Sequence, residues 1–530
     1  NGHMVLQTNK LIELFEADEY WHDSFTKYSK KIGLTAGGKF IDESPDVVLD
    51  FPYKDTILKA SMSKEDTDKD DLRPDEPFLN EVIAKEEIDV LLDKKIFVNA
   101  KKYDKNGVRE VDHFNEEDNL IIKGNNLLAL HTIKEKYAGK VKLIYIDPPF
   151  NTGNDSFKYN DKFSRSTWLT FMKNRLEVAR DLLTEDGNIF IHIDDNQAHY
   201  LKVLLDSIFG ENNFVQEIIW AYGSASGGRS ASAKPVNIHD YILHYAKNYS
   251  LRKANKIFTP YSQQYIKDWF KYDDGDGRRY QRRQRGKDKE GNIIWEKQYL
   301  DESKGVPLTT VWNDIKQVYA NPQAYKQENS ATSEIELDFG KSGQKPQKLI
   351  KRIIEMSTDK NDLVLDFFMG SGTTPATAMK MHRKFIGIEQ INSQIDISIN
   401  RLIDVINGKQ SGISKDVNWQ GGGSFVYVEL MEKNRGFLKA IRDAKNHNEL
   451  QKVFNFMLEE AEIDFRVDLE KVKDTLHELS LDDQKRCLIK IIDKNQLYYN
   501  YSEIDDEHVR DLISDSDYAF NKSFYEEGEE

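Results

Sequence analysis

The chain has 530 residues, too many for one hydrophobic core and enough for roughly three domains. It carries 90 acidic against 75 basic side chains, a net charge of −15, and no apolar run approaches the ~20 residues of a membrane span, so a membrane partner is excluded. A single cysteine, Cys487, excludes an internal disulfide framework, and with no export-type leader the chain reads as cytoplasmic.

Asn1-Gly2-His3-Met4 reads as an addition ahead of the native start, and residues 1–119 as an N-terminal region with short helical patterns. Within it the stretch 64–87 is rich in Asp and Glu and poor in apolar residues, an acidic linker. From 120 to 221 strand and helix alternate. A strand at Leu120–Ile122 is followed by a helix from about Asn126, with Asn125 as its starting residue. Val141–Ile146 reads as a buried strand. A helix over Trp168–Leu183, a turn at Glu185-Asp186-Gly187, a strand over Asn188–Ile193 and a helix over Asn196–Phe209 follow. That alternation predicts a doubly wound α/β sheet with largely parallel strands.

The strand at 141–146 runs into Asp147-Pro148-Pro149-Phe150, which sets a carboxylate, a rigid turn and an aromatic face at the C-terminal edge of the sheet, where open α/β folds bind ligands. The carboxylate and the Pro148 carbonyl can accept both hydrogens of an exocyclic amine, and Phe150 can stack on its ring. A lone Asp-Pro-Pro is usually only a turn; the buried strand before it and the loop described next raise it to a candidate catalytic centre. Asp194 and Asp195 read as a solvated strand end or helix cap.

Residues 222–344 lack a βα period and are too long for a structureless loop, so they form an inserted domain. His239 and Asp240 belong to a strand at its entrance. It is rich in aromatics, among them Tyr261, Tyr265, Trp269, Phe270, Tyr272, Tyr280, Trp295, Tyr299 and Trp312, read as its core. Its densest positive cluster, Arg278, Arg279, Arg282, Arg283, Arg285 and Lys287, has Tyr280, Gln281 and Gln284 interleaved, a mixture suited to phosphates and base edges. A charge run is more often a solvated face; the uniform sign favours DNA contact.

The α/β pattern resumes over 345–408 with a helix at Lys348–Ser357 and a strand ending at Asp366. Phe367, Phe368, Gly370, Ser371, Gly372 and Thr373 then form a glycine-containing loop before a helix. A further strand ends in Glu389, where an acid that binds ribose hydroxyls belongs. The loop lacks a P-loop lysine, so a ligand with an adenosine and no pyrophosphate fits. No His/Cys set has metal-ligand spacing. Residues 409–530 form a C-terminal domain with amphipathic helices over 446–483.

Asp147-Pro-Pro-Phe followed by Asn151-Thr152-Gly153, together with Phe368-Met369-Gly370-Ser371-Gly372-Thr373-Thr374, resembles the S-adenosylmethionine-dependent amino-methyltransferases of DNA. The tetrapeptide precedes the loop, as in their circularly permuted β class. Residues 120–130, 166–172 and 186–195 are similar to the modification (Mod) subunits of Type III restriction-modification systems. The resemblance implies a Rossmann-like domain with a target recognition domain inserted at 222–344 and mainly helical additions at both ends. It implies adenine-N6 methylation of flipped bases in double-stranded DNA, with Asp147, Pro148, Pro149 and Phe150 catalytic. Asn125, Asp366, Phe367, Phe368, Gly370, Ser371, Gly372, Thr373 and Glu389 would hold S-adenosylmethionine, Asp366 near its amino group. It further implies a homodimer and a helicase-nuclease (Res) partner, since no such motif is present here. Cytosine-N4 or RNA adenine-N6 methylation, or a subunit that mainly recruits a nuclease, stay open as alternatives.

Overall fold

The computed structural model describes residues 92–151, 165–223, 235–319, 344–461, 469–477, 479–494 and 498–526, with two-residue strands at 35–36, 39–40 and 331–332. The acidic linker 64–87, Thr152, Gly153 and the tail 527–530 lie outside the described residues.

In chain order, β1 (Phe97–Asp104) and β2 (Gly107–Glu110) precede β3 (Leu120–Lys123), α1 (Asn126–Tyr137), β4 (Val141–Ile146), α2 (Arg165–Leu182), β5 (Leu183–Ile193), α3 (Ala198–Phe209), β6 (Phe214–Ala221) and β7 (His239–Ala246). Then come β8 (Arg279–Lys287), β9 (Ile293–Tyr299), β10 (Val311–Trp312), α4 (Gln347–Ser357), β11 (Leu363–Asp366), α5 (Thr373–Lys380), β12 (Lys384–Glu389), α6 (Asn392–Ile406) and β13 (Phe425–Leu430). The chain closes with α7 (Arg435–Asp443), α8 (His447–Glu460), α9 (Leu469–Leu476), α10 (Leu481–Lys494) and α11 (Asp515–Glu526).

One sheet of 11 strands runs in the order β10-β6-β7-β5-β4-β11-β12-β3-β13-β1-β2. From β5 to β13 all neighbours are parallel, while β7 is antiparallel to both β5 and β6. Both faces are covered, which is why the central strands are apolar throughout. In β4, Ile144 and Ile146 pack under α1, α2 and α3, whereas Leu143 and Tyr145 pack under α4, α5 and α6. The helices supply matching stripes, such as Leu349, Ile350, Ile353 and Ile354 of α4, all 0% exposed.

The doubly wound sheet is as expected, but three boundaries differ. The expected N-terminal region contributes β1 and β2, a hairpin on the sheet edge where a helical addition was predicted. Strand β7 and the short β10, expected inside the insert, belong to the main sheet. The C-terminal domain expected at 409–530 contributes β13, parallel to β3, and α11, whose Phe520 and Phe524 pack on Phe97 of β1. The corrections share one cause: these strands pair with segments far away in the chain, as β13 does with β3 and β1, so a strand's place in the sheet is not written in its own residues. Helices α7 to α10 share a separate apolar core that includes Ile441, Leu450, Phe454, Met457 and Leu488. Among the described residues no helix is long and apolar enough to cross a membrane.

Candidate active site

The C-terminal ends of four adjacent parallel strands carry the predicted site: Asp147 follows β4, Asp366 ends β11, Glu389 ends β12, and Asn125 lies two residues beyond β3. Helices leave to opposite faces from β4 and β11, so a crevice opens there at the switch point of the sheet.

Beside the glycine loop a small hollow is lined by Asn126, Phe367, Phe368, Ile388, Glu389, Gln390 and Ile391. Glu389 is 4% exposed. Its Oε2 accepts from Gly370 N at 2.8 Å, and its Oε1 from Gln390 N and Ile391 N at 2.9 Å each. The carboxylate therefore ties the glycine loop to the end of β12. Gly370 and Gly372 adopt φ of 51° and 73°, left-handed values that a side chain strains. A Cβ on Gly372 would also sit 2.9 Å from Ser398 Oγ. Asp366 accepts from Phe368 N at 3.0 Å, and burial pushes its carboxyl up to about 7, with the charges of Asp147 and Glu389 adding to the rise. These groups fit S-adenosylmethionine: an apolar slot between Phe368 and Ile391, a carboxylate beside it, and backbone exposed by glycine.

Asn125 is a helix cap. Its side chain accepts from Leu127 N at 3.0 Å and Leu128 N at 3.5 Å, so its oxygen is engaged by α1. The next residue lines the hollow instead. Asn126 Nδ2 donates to the Phe367 carbonyl at 2.7 Å, and its Oδ1 accepts from Arg175 Nε at 2.7 Å. Arg175, 4% exposed, lies 3.5 Å over the Phe171 ring, and burial lowers it to about 9. Neither residue was singled out by sequence; the Asn pair and the run 166–172 were the only signal.

Past the end of β4, Trp168 Nε1 donates to the Pro149 carbonyl at 2.8 Å and anchors the turn. Asp147 accepts at both oxygens from the Lys345 ammonium, at 2.9 and 2.8 Å. Sequence reasoning missed Lys345, because it lies 198 residues downstream and contacts Asp147 only through the fold. The Phe150 ring is parallel to that of His192, with centroids 5.9 Å apart. His192 Nε2 donates to Asp240 at 2.9 Å and its Nδ1 faces the Tyr145 hydroxyl at 3.3 Å. Burial holds His192 below the usual histidine value, with Lys345 adding to it. Burial alone would raise Asp240, but the bond from His192 and the charges of His192, Lys345 and His239 together outweigh it and leave the carboxyl lowered. Asp240, expected only as part of a strand, thus supports the platform beneath Phe150. Asp194, read as a solvated strand end or helix cap, is neither: it is 9% exposed, and its carboxylate accepts from Asn196 N at 3.0 Å in the turn ahead of α3, whose cap position is held by Gln197.

The arginine cluster forms β8, paired with β9 in a hairpin whose outer half is exposed on both faces. Arg278 is paired with Asp301 and Glu302, and Arg285 with Glu296. Arg282 lies 4.5 Å over Tyr272. Arg279, Arg283 and Lys287 make no ion pair among the described residues and face solvent. Of the insert's aromatics, Phe270, Tyr280 and Trp312 are core, whereas Trp269 and Trp295 are more than half exposed.

The DNA methylase family profile matches residues 141–400, and that of the Type III restriction/modification enzyme methylation subunit matches residues 1–34. The probable type III restriction-modification enzyme HindVI Mod subunit of Haemophilus influenzae is 32% identical over 95% of this chain and 88% of its own length. The EcoP15I Mod subunit of Escherichia coli is 30% identical over 51% of this chain and 58% of its own. Among solved structures, the PvuII DNA methyltransferase (cytosine-N4-specific) aligns with a TM-score of 0.37 at 15% identity, over 58% of this chain and 93% of its own. Identity of this extent, spread over nearly the whole chain and joined to an Asp-Pro-Pro-Phe edge beside a glycine loop, places the protein: it belongs to the Mod subunits of Type III restriction-modification systems.

Proposed function

We propose that this chain methylates the N6 amine of adenine in double-stranded DNA, and that Asp147 is the group that holds the amine. The observation that carries this reading is the position of Asp147 at the end of β4, one strand away from the cofactor-binding end of β11. S-adenosylmethionine, the methyl donor of this family, supplies an electrophilic methyl carbon.

The adenine amine is a weak nucleophile because its lone pair is conjugated with the ring. Asp147 and the Pro148 carbonyl accept its two hydrogens, favour pyramidal nitrogen and aim the lone pair. Phe150 takes the flipped base on its face, after a few kcal/mol for unstacking it from the duplex. Such positioning can contribute about 7–11 kcal/mol of the barrier. Pro149, anchored by Trp168, keeps the turn rigid, and Gly370, Ser371, Gly372 and Thr373 let backbone approach the methionine part of the donor. Glu389 faces the ribose, and Asp366 the amino group. Phe367 and Phe368 wall the slot. The Arg279, Arg283 and Lys287 side chains of the hairpin contact the duplex. Domain limits follow the sheet, with recognition carried by the part of 222–344 outside β7 and β10. The enzyme works in the cytoplasm as a homodimer and with a helicase-nuclease subunit.

The test is to incubate the protein with genomic DNA and labelled S-adenosylmethionine and map the modified base by sequencing. N6-methyladenine at one short motif is expected, and Asp147→Ala should abolish it while cofactor binding stays within a few-fold. Label at cytosine, or a variant that retains substantial activity, would refute the reading.

A further inference from the structure

Asp147 and Phe150 already share a partner. The Lys345 ammonium donates to both oxygens of Asp147, at 2.9 and 2.8 Å, and lies 4.9 Å over the Phe150 ring. The Lys345 side chain is 13% exposed and that of Asp147 24%, so this is a semi-buried contact and not a loose surface pair. A tethered ammonium here offers the carboxylate the same N–H donors, and the ring the same facial contact, that an amine-bearing base would offer. Both cannot occupy that place at once.

The backbone around Lys345 suits a movable placeholder. On one side Pro346 leads into α4, and the buried Gln347 is fixed on the cofactor half through Lys380, whose ammonium donates to Gln347 Oε1 at 3.0 Å. On the other side the chain leads back into the insert. Gln344, 8% exposed, has no hydrogen-bond partner among the described residues for either polar side-chain atom. Buried amides are satisfied as a rule, so an orphaned one next to Lys345 fits a segment with a second arrangement.

We infer that Lys345 is a specificity-determining positioning residue: without a base it holds the place of the target amine on Asp147 and Phe150, and a flipped base reaches the carboxylate only by displacing it. This rests on the reading of Asp147 and Phe150 as the amine site. A poorly presented base must then compete with a cation that is always at hand. Because Lys345 stands where the insert rejoins the sheet, docking of the insert on DNA and release of Asp147 share one segment.

The experiment uses the full chain and a duplex carrying 2-aminopurine at the mapped target position. Lys345→Met keeps the stem without the charge, Lys345→Gln is a second neutral variant, and Lys345→Arg retains a cation. Both neutral variants should show more flipped-base fluorescence at saturating protein and a lower KM for DNA. They should also gain about tenfold in relative kcat/KM on a duplex with one mismatched position, the scale of one charge-assisted hydrogen bond removed from the competitor. Lys345→Arg should stay near wild type. Fluorescence no higher than wild type in both neutral variants overturns the inference. So does a loss of kcat with unchanged flipping, which would make Lys345 a permanent support of Asp147. A wild type that neither flips the base nor methylates adenine removes the amine-site reading itself, and is recognisable before any variant is compared.

Discussion

Asp366 is the residue whose chemistry the environment changes most usefully. Burial, with Asp147 and Glu389 nearby, raises its carboxyl from 3.8 to about 7. The sign for stability follows directly. Between those two values the folded chain holds a proton that the unfolded chain has released, so Asp366 favours the fold at low pH, and this contribution is lost as pH rises through about 7. A cationic ligand reverses the preference by favouring the ionised form. S-adenosylmethionine affinity should therefore climb with pH toward 7 and then level off, and Asp366→Asn should flatten the profile. Calorimetry on either side of neutrality decides it; a flat wild-type profile would show that Asp366 does not face the cofactor's charge. Glu389 acts differently, since three backbone N–H groups already define its orientation. Glu389→Ala should weaken cofactor binding and leave the choice of DNA site unchanged.

At the scale of elements, the cofactor hollow depends on a relay between helices and strand. Arg175 of α2 holds Asn126 at the start of α1, and Asn126 holds the Phe367 carbonyl just past β11. Replacing Arg175 with Met keeps most of the buried volume but leaves the Asn126 oxygen without its donor, at a cost of about 1–3 kcal/mol. The variant should melt earlier and bind S-adenosylmethionine more weakly, and Asp147 chemistry at saturating cofactor should be less affected. Equal cofactor affinity in calorimetry would show that the relay does not shape the hollow. The alternation of strand and helix made these elements visible in the sequence, but not that Arg175 reaches across 49 residues to Asn126.

For the whole molecule, a net charge of −15 coexists with a basic hairpin. What a polyanion meets is local charge, not the sum. Because Arg278 and Arg285 have acidic partners, their replacement should alter DNA affinity less than that of Arg279, Arg283 and Lys287. Changing these three to Ala should shallow the slope of log affinity against log salt by about 0.9 per lost phosphate contact. An unchanged slope with relaxed sequence preference would mean that they read bases instead. The assembly is testable separately. Light scattering of the full chain at micromolar concentration should give twice the chain mass, and a monomer that still methylates DNA would rule out the dimer. Truncation at 410 is not a clean probe, because it removes β13 from the sheet.

The sequence by itself determined the α/β class and the strand ends that carry the Asp-Pro-Pro-Phe tetrapeptide, the glycine loop and Glu389, because each is encoded locally: a run of apolar residues buried on both faces, a proline turn, a helix after glycine. Those signals survive without knowledge of neighbours. Only the tertiary structure decided what stands against Asp147, which of two adjacent asparagines lines the hollow, and that His192 and Asp240 support Phe150. It also decided that β1, β7 and β13 belong to one sheet. These facts depend on pairings across tens to hundreds of residues, and a side chain such as Lys345 carries no mark in its own surroundings of the carboxylate that folding brings to it.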